Sequence, residues 1–183
     1  MRFQPFLAAA LLLALAPLTL NPAEARQQQI AQAANAPKAL GGDKNWNAFS
    51  AGSGKGLVCY LVGKPAKTLP EHVTRGRIGV SVTHRPGENT YNVVNFQLGY
   101  DTKPGSDADL TIDGKKFSLF TAKQGAWAKD AATDKAVTMA LDKGKTAVIK
   151  ATSEHNNTST DTYSLDGFSK ALELIDKACN VKR

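Results

Sequence analysis

The chain is poor in cysteine and histidine, and the spacings that build familiar reactive centres are missing. Its two cysteines, Cys59 and Cys179, are far apart, which excludes a C-x-x-C redox pair. His72, His84 and His155 show no helical or finger-type spacing, so no zinc motif can be drawn through them. Gly144-Lys145-Thr146 ends like a phosphate loop, but Met139 stands where its first glycine belongs; Gly54-Lys55-Gly56 fails in the same way at Phe49. Asp107, Asp109 and Asp113 suggest a calcium loop, yet Ile112 takes the glycine position and Ser118 the place of the bidentate glutamate. No G-x-S-x-G elbow occurs. The basic residues are not interleaved with aromatic ones, which argues against a single-stranded nucleic-acid platform. No metal, cofactor or nucleic acid is therefore expected, and nothing marks an enzyme.

Long apolar runs are also scarce. Phe6 to Leu20 is the one such stretch, and at about fifteen residues it is short for a membrane span. It follows Arg2 and precedes Ala23-Glu24-Ala25, a small-x-small cleavage pattern. Residues 1–25 read as a signal peptide cut after Ala25, with no transmembrane span left after cleavage. The expected location is periplasmic or secreted. The formal charge of +7 survives cleavage, because one cation and one anion leave together. In an exported chain, an even cysteine count predicts one structural disulfide, Cys59–Cys179.

Residues 26–44 are polar and rich in Gln, Ala and Gly, and are expected to form a flexible leader. A single domain is expected over 45–183. From Trp46 the apolar period is two. Leu57 to Val62 reads as a buried strand; Ile78, Val80 and Val82 alternate on another; Tyr91 to Tyr100 forms a long one. Asp113-Gly114 between alternating runs predicts a hairpin. A short helix from Asp130 or Thr133 should stop at Gly144. Two more strands follow over 146–153 and 158–165. A terminal helix carries Phe168, Ala171, Leu172, Ile175, Ala178 and Cys179 on one face. The expected fold is mainly β, an antiparallel sandwich with a short internal helix and a C-terminal helix.

Three groups of residues are candidates for function. Arg75, Arg77 and Arg85, with His72 and His84 nearby, form a basic cluster suited to an anionic surface or an acidic envelope or host protein. Asp161 falls on the strand face of Tyr163 and Leu165; an inward carboxylate needs a cation or several donors, so it is expected to be a structural clamp, with Arg85 as one candidate partner. Ser153, His155 and Asp161 could be drawn as a hydrolytic triad, the alternative in which the protein is a periplasmic hydrolase. His155, however, lies in Glu154-His155-Asn156-Asn157, a hairpin-tip sequence.

Several segments resemble the invasion-associated locus B family of Gram-negative envelope proteins. They are Val58-Cys59-Tyr60 with Pro65, Ser81 to Pro86, Gly99-Tyr100, Ile112-Asp113-Gly114 with Phe117 to Phe120, Ala126-Trp127, and Thr160 to Phe168 before a helix ending at Cys179. The resemblance spans roughly 45–180. One departure is the turn Glu154–Asn157, where the family pattern has Ser-x-Arg-Gly-Thr. The resemblance implies an immunoglobulin-like β-sandwich, export to the periplasm or cell surface, and a binding or interaction role without known catalysis. It supplies no catalytic residue.

Overall fold

The structure, a computed structural model, describes residues 36–183 together with Arg26. The expected signal peptide and most of the expected leader lie outside the described residues. Among the described residues there are eleven strands: β1 (Lys38–Asp43), β2 (Trp46–Ala51), β3 (Val58–Gly63), β4 (Lys67–Leu69), β5 (Gly79–Arg85), β6 (Thr90–Gln97), β7 (Asp107–Ile112), β8 (Lys115–Ala122), β9 (Gly125–Trp127), β10 (Thr146–Thr152) and β11 (Thr158–Ser164). Helix α1 is Ala131–Lys143 and helix α2 is Phe168–Cys179. Among the described residues no helix is long and apolar enough to cross a membrane.

All strand pairs are antiparallel and join into one sheet, ordered β1-β2-β3-β5-β6-β9-β8-β7-β10-β11-β4. The sheet cannot be flat. Strands β6 and β11 are five places apart in that order, roughly 24 Å at the usual strand spacing. Yet the Phe96 ring on β6 meets the Tyr163 ring on β11 edge-on with centroids 5.6 Å apart. Likewise Trp46 Nε1 on β2 donates to the Ser164 carbonyl on β11 at 3.0 Å. The two halves of the sheet thus fold face to face through the short strand β9, and their alternate residues share one core. Strand β5 shows the period plainly, with Val80, Val82 and His84 buried between half-buried neighbours.

The domain begins earlier than expected. Lys38–Asp43 pairs with β2, so the leader's last residues are a strand rather than a loose arm. Only Leu40 in this strand is even half-buried. Its place comes from the open edge of β2 and from α2, whose Leu174 lies against Gly41; local propensity alone would not make this strand.

The helices cover what the sheet leaves open. Strand β9 pairs with β6 only from Asn95 to Gln97, which leaves the first half of β6 with an unpaired edge. Helix α1 covers it with polar side chains: Asp134 accepts from Val94 N at 2.8 Å, and Thr138 Oγ1 donates to the Asn92 carbonyl at 3.3 Å. Asp130 caps the helix by accepting from Thr133 N at 2.7 Å, and Gly144 ends it. Helix α2 packs on β1, β2, β3 and β5 through Phe168, Leu172 and Ile175. The Phe168 ring meets Trp46 edge-on at 4.8 Å, and Trp46 fits because Gly63 is bare: a Cβ there would come within 2.4 Å of the indole. The expected disulfide is formed between Cys59 on β3 and Cys179 at the end of α2.

Candidate functional site

The chain makes one long excursion, and it builds the site. After β3 it leaves the first half of the sheet, pairs as β4 with β11 at the far edge, and returns through Pro70–Ile78 to β5. On that return Gly76 N donates to the Gly99 carbonyl at 2.8 Å. Gly99 has φ 77°, and a Cβ on it would lie 2.9 Å from the Gly76 oxygen; only glycine permits so close a crossing. The crossing sets Arg75 beside Tyr100. The guanidinium lies 5.7 Å from the centroid of that ring, within cation–π range. It also reaches inward to Asp161, whose register on β11 opposite Thr68 of β4 brings it under the same excursion.

Arg75 and Asp161 form a bidentate ion pair, Nη1 to Oδ2 at 3.2 Å and Nη2 to Oδ1. Nη1 also lies 3.4 Å from the Leu98 carbonyl. The Asp161 side chain is 0% exposed and that of Arg75 6%. Asp161 is therefore the inward carboxylate its strand phase requires, with Arg75 as its partner and not Arg85. Tyr100 Oη and Ser159 Oγ complete the layer at 2.6 Å. Burial pushes the Tyr100 phenol up, with the Ser159 hydrogen bond and the Arg75 charge opposing.

Above this layer is a cleft of about 400 Å³ between the β4–β5 excursion and the β10–β11 hairpin. Val73, 54% exposed, stands on its lip. Ser153 and His155 line it too, but no hydrolytic triad is assembled. Ser153 Oγ accepts from Asn157 N at 3.2 Å, bracing the hairpin tip. The His155 side chain is 79% exposed, with Nε2 3.6 Å from Glu154, and Asp161 is committed to Arg75. The expected basic cluster is not one patch either. Arg75 faces inward; Arg77 is exposed ahead of β5 and Arg85 half-buried at its end, roughly 20 Å or more apart at about 3.3 Å per residue. The aspartates weighed as a calcium loop do other work: Asp113 accepts from Lys145 N and Thr146 N at 2.7 and 3.0 Å. Among the described residues no group of side chains is arranged to hold a metal ion.

A second polar cluster was not legible as such. His84, 0% exposed, continues the Val80-Val82 alternation into the core and does not belong with the arginines. Its Nδ1 accepts from Asn92 N at 3.0 Å, so Nε2 carries the proton and donates to Asp176 on α2 at 2.9 Å. Arg183 holds the same carboxylate through Nε and Nη2 and reaches Asn92 Oδ1 at 2.7 Å. A groove of about 830 Å³ lies beside it, between α1, the start of β6 and the C-terminal tail. The groove is the larger hollow, but its inward polar groups, Asp134 and Arg183, are already engaged by the fold.

Burial pushes the Asp176 carboxyl up, but the hydrogen bonds from His84 and Arg183 and the Arg183 charge outweigh it and hold it below the usual range. A depressed carboxyl stabilises the fold above its unfolded pKa, and that contribution is lost as pH falls through the folded value. Asp134 is the opposite case: burial raises it, so its ionisation opposes folding as pH rises through its folded value. The D176N variant should therefore unfold at a lower temperature than the parent at neutral pH, with the gap closing as pH falls below the usual carboxylate range. A gap that stays constant in a thermal-melt series across that range would show that Asp176 carries no linked proton.

The fold and the cleft define a disulfide-bonded antiparallel β domain in which a buried ion pair floors a ligand-sized hollow. The family model described as Invasion associated locus B (IalB) protein matches residues 46–176, most of the chain and the part that holds strands β2 to β11 and the cleft. The chain belongs to that family. No curated protein and no solved structure matches it.

Proposed function

We propose that this protein is an exported binding module of the cell envelope, not an enzyme, and that it meets an envelope or host-surface component through the cleft over Arg75. The observation that carries this reading is the Arg75–Asp161–Tyr100–Ser159 layer. Its groups are held by an ion pair and a hydroxyl–hydroxyl hydrogen bond at the floor of an open hollow, and its one carboxylate is committed to Arg75 and not to the Ser159 hydroxyl. Rigid polar groups at the base of a hollow favour binding because little ordering entropy is lost on contact. Export is supported by the sequence of residues 1–25, by the disulfide and by the family. The family's description as invasion associated supports including contact with a host surface in this reading, and Arg77 and Arg85 can add only separate, long-range attraction to an anionic partner.

A photo-crosslinking residue tests the site. Placed at Val73, on the lip of the cleft, it should capture a discrete component of envelope or host-membrane preparations. Placed at Phe120, which is 45% exposed on β8 and outside the cleft, it should not. Equal capture at both positions, or none at either, would remove the cleft from the function. Turnover of ester, peptide or glycoside substrates that is abolished by S153A or H155A would restore the hydrolase alternative.

A further inference from the structure

The ligand chemistry of the cleft can be read from what Arg75 leaves unused. A guanidinium has two edges that can grip a planar acceptor: the end formed by Nη1 and Nη2, and the side formed by Nε and Nη2. Asp161 occupies the end edge. Among the described residues Nε makes no hydrogen bond, and it is not among the buried polar atoms left without one, so it keeps some contact with solvent, and Arg75 is one of the residues that line the cleft. The ion pair thus fixes the guanidinium and leaves its Nε–Nη2 side edge unused by Asp161. A bidentate side-on contact suits a carboxylate.

The rest of the wall narrows the choice. Thr74, Tyr100, Ser153, Thr158 and Ser159 line the cleft together with His155 and Asn157, and no aspartate or glutamate lines it. Asp161 lies behind the guanidinium. Val73 and Pro70 give the lip a small aliphatic surface. The volume is at the lower end of the range for small-molecule sites, about 300–1,000 Å³. We infer that the cleft binds a sugar acid, a single hydroxylated ring carrying one carboxylate, with the carboxylate on the Nε–Nη2 edge of Arg75 and the ring hydroxyls on the serine and threonine wall. This inference rests on the cleft being the binding site proposed above.

Titration of the whole mature protein with glucuronate, followed by the arginine side-chain NMR signals, tests it. The Arg75 Nε–H resonance and the amides of Thr74, Tyr100 and Ser159 should move together. Glucose, which lacks the carboxylate, and acetate, which lacks the ring, should each bind at least about tenfold more weakly, a difference supplied by one lost charged hydrogen bond for glucose and by the lost ring-hydroxyl hydrogen bonds for acetate. R75K keeps a cation for Asp161 but loses the side edge, so it should lose glucuronate binding. If R75K does not fold, the Nε–H signal of the parent protein decides alone. A disaccharide ending in glucuronate that binds more tightly than the monosaccharide would identify a glycan end as the source; equal affinity would identify the free acid. No movement of the Nε–H signal, or an equal response to glucose, overturns the proposal. If crosslinking at Val73 persists in that case, the ligand class falls and the binding site stands; if both fail, both are wrong.

Discussion

Replacing Asp161 with alanine is expected to cost about 3–5 kcal/mol of unfolding free energy, because it leaves the Arg75 guanidinium buried without its counter-charge. Arg75, with only 6% of its side chain exposed, cannot swing out without undoing the Gly76–Gly99 crossing that seats it. R75A should cost a similar amount, since it strands a carboxylate that is 0% exposed. Thr160 is the control. It lies on the same strand in the opposite phase, half-exposed, and T160A should stay within about 0.5 kcal/mol of the parent. Urea denaturation with the slope held common gives these differences directly. The double variant D161L with R75M removes both charges and fills their space, and should recover much of the loss, as buried pairs replaced by apolar groups commonly do. A D161A loss no larger than that of T160A would show that the pair is screened by water and that Asp161 is not a clamp.

The two halves of that pair differ in how far sequence reveals them. Asp161 was legible because a strand's period of two is strict: once Tyr163 and Leu165 face inward, so does Asp161. Its partner was not. Arg85 is the last residue of β5 and Arg75 lies ahead of that strand, so sequence proximity does not choose between them, and what selects Arg75 is the β4 excursion. That is a pairing of Lys67–Leu69 with residues some ninety positions later, set by no local pattern. The same contrast explains His84. The alternation Val80, Val82 predicts its burial, but its positive neighbours Arg77 and Arg85 invite a surface reading, and the cation it was grouped for is a neutral donor to Asp176. In α1 the apolar stripe locates the helix but not its task. Asp134 and Thr138 sit on the buried face because β6 has backbone groups to satisfy there, a need visible only once β9 is seen to be short. Gly41-Gly42 argues against a strand on propensity, yet β1 forms because β2 offers an edge and α2 a wall. The disulfide was legible from compartment and count alone, since two cysteines in an exported chain have one pairing.

Loss of that disulfide is expected to be the other large effect. Cys59 and Cys179 enclose a loop of sequence separation 120, which on the chain-entropy model is worth about 5 kcal/mol, while native disulfides removed from small secreted domains typically cost 2–5 kcal/mol. The position of the bond decides where the loss appears. It ties the last turn of α2 to β3, next to the His84–Asp176–Arg183 cluster, and α2 is the wall that holds β1 in place. Helix α2 keeps its own core contacts through Phe168, Leu172 and Ile175, each no more than 2% exposed, so the domain should still fold when reduced. Its unfolding midpoint should fall by roughly 5–20 °C, taking about 2–4 °C per kcal/mol for a domain of this length. Comparing oxidised and reduced protein of one sequence avoids the cavity that C59A with C179A would add. Hydrogen exchange should then speed up most in α2 and β1, less in β7, β8 and β10, whose ladder does not depend on the helix. Uniform acceleration across all strands would mean that the bond acts only on the unfolded chain. A midpoint that moves by less than about 2 °C would mean that the packing of α2 holds the C-terminus by itself, and that the bond adds little to the folded domain.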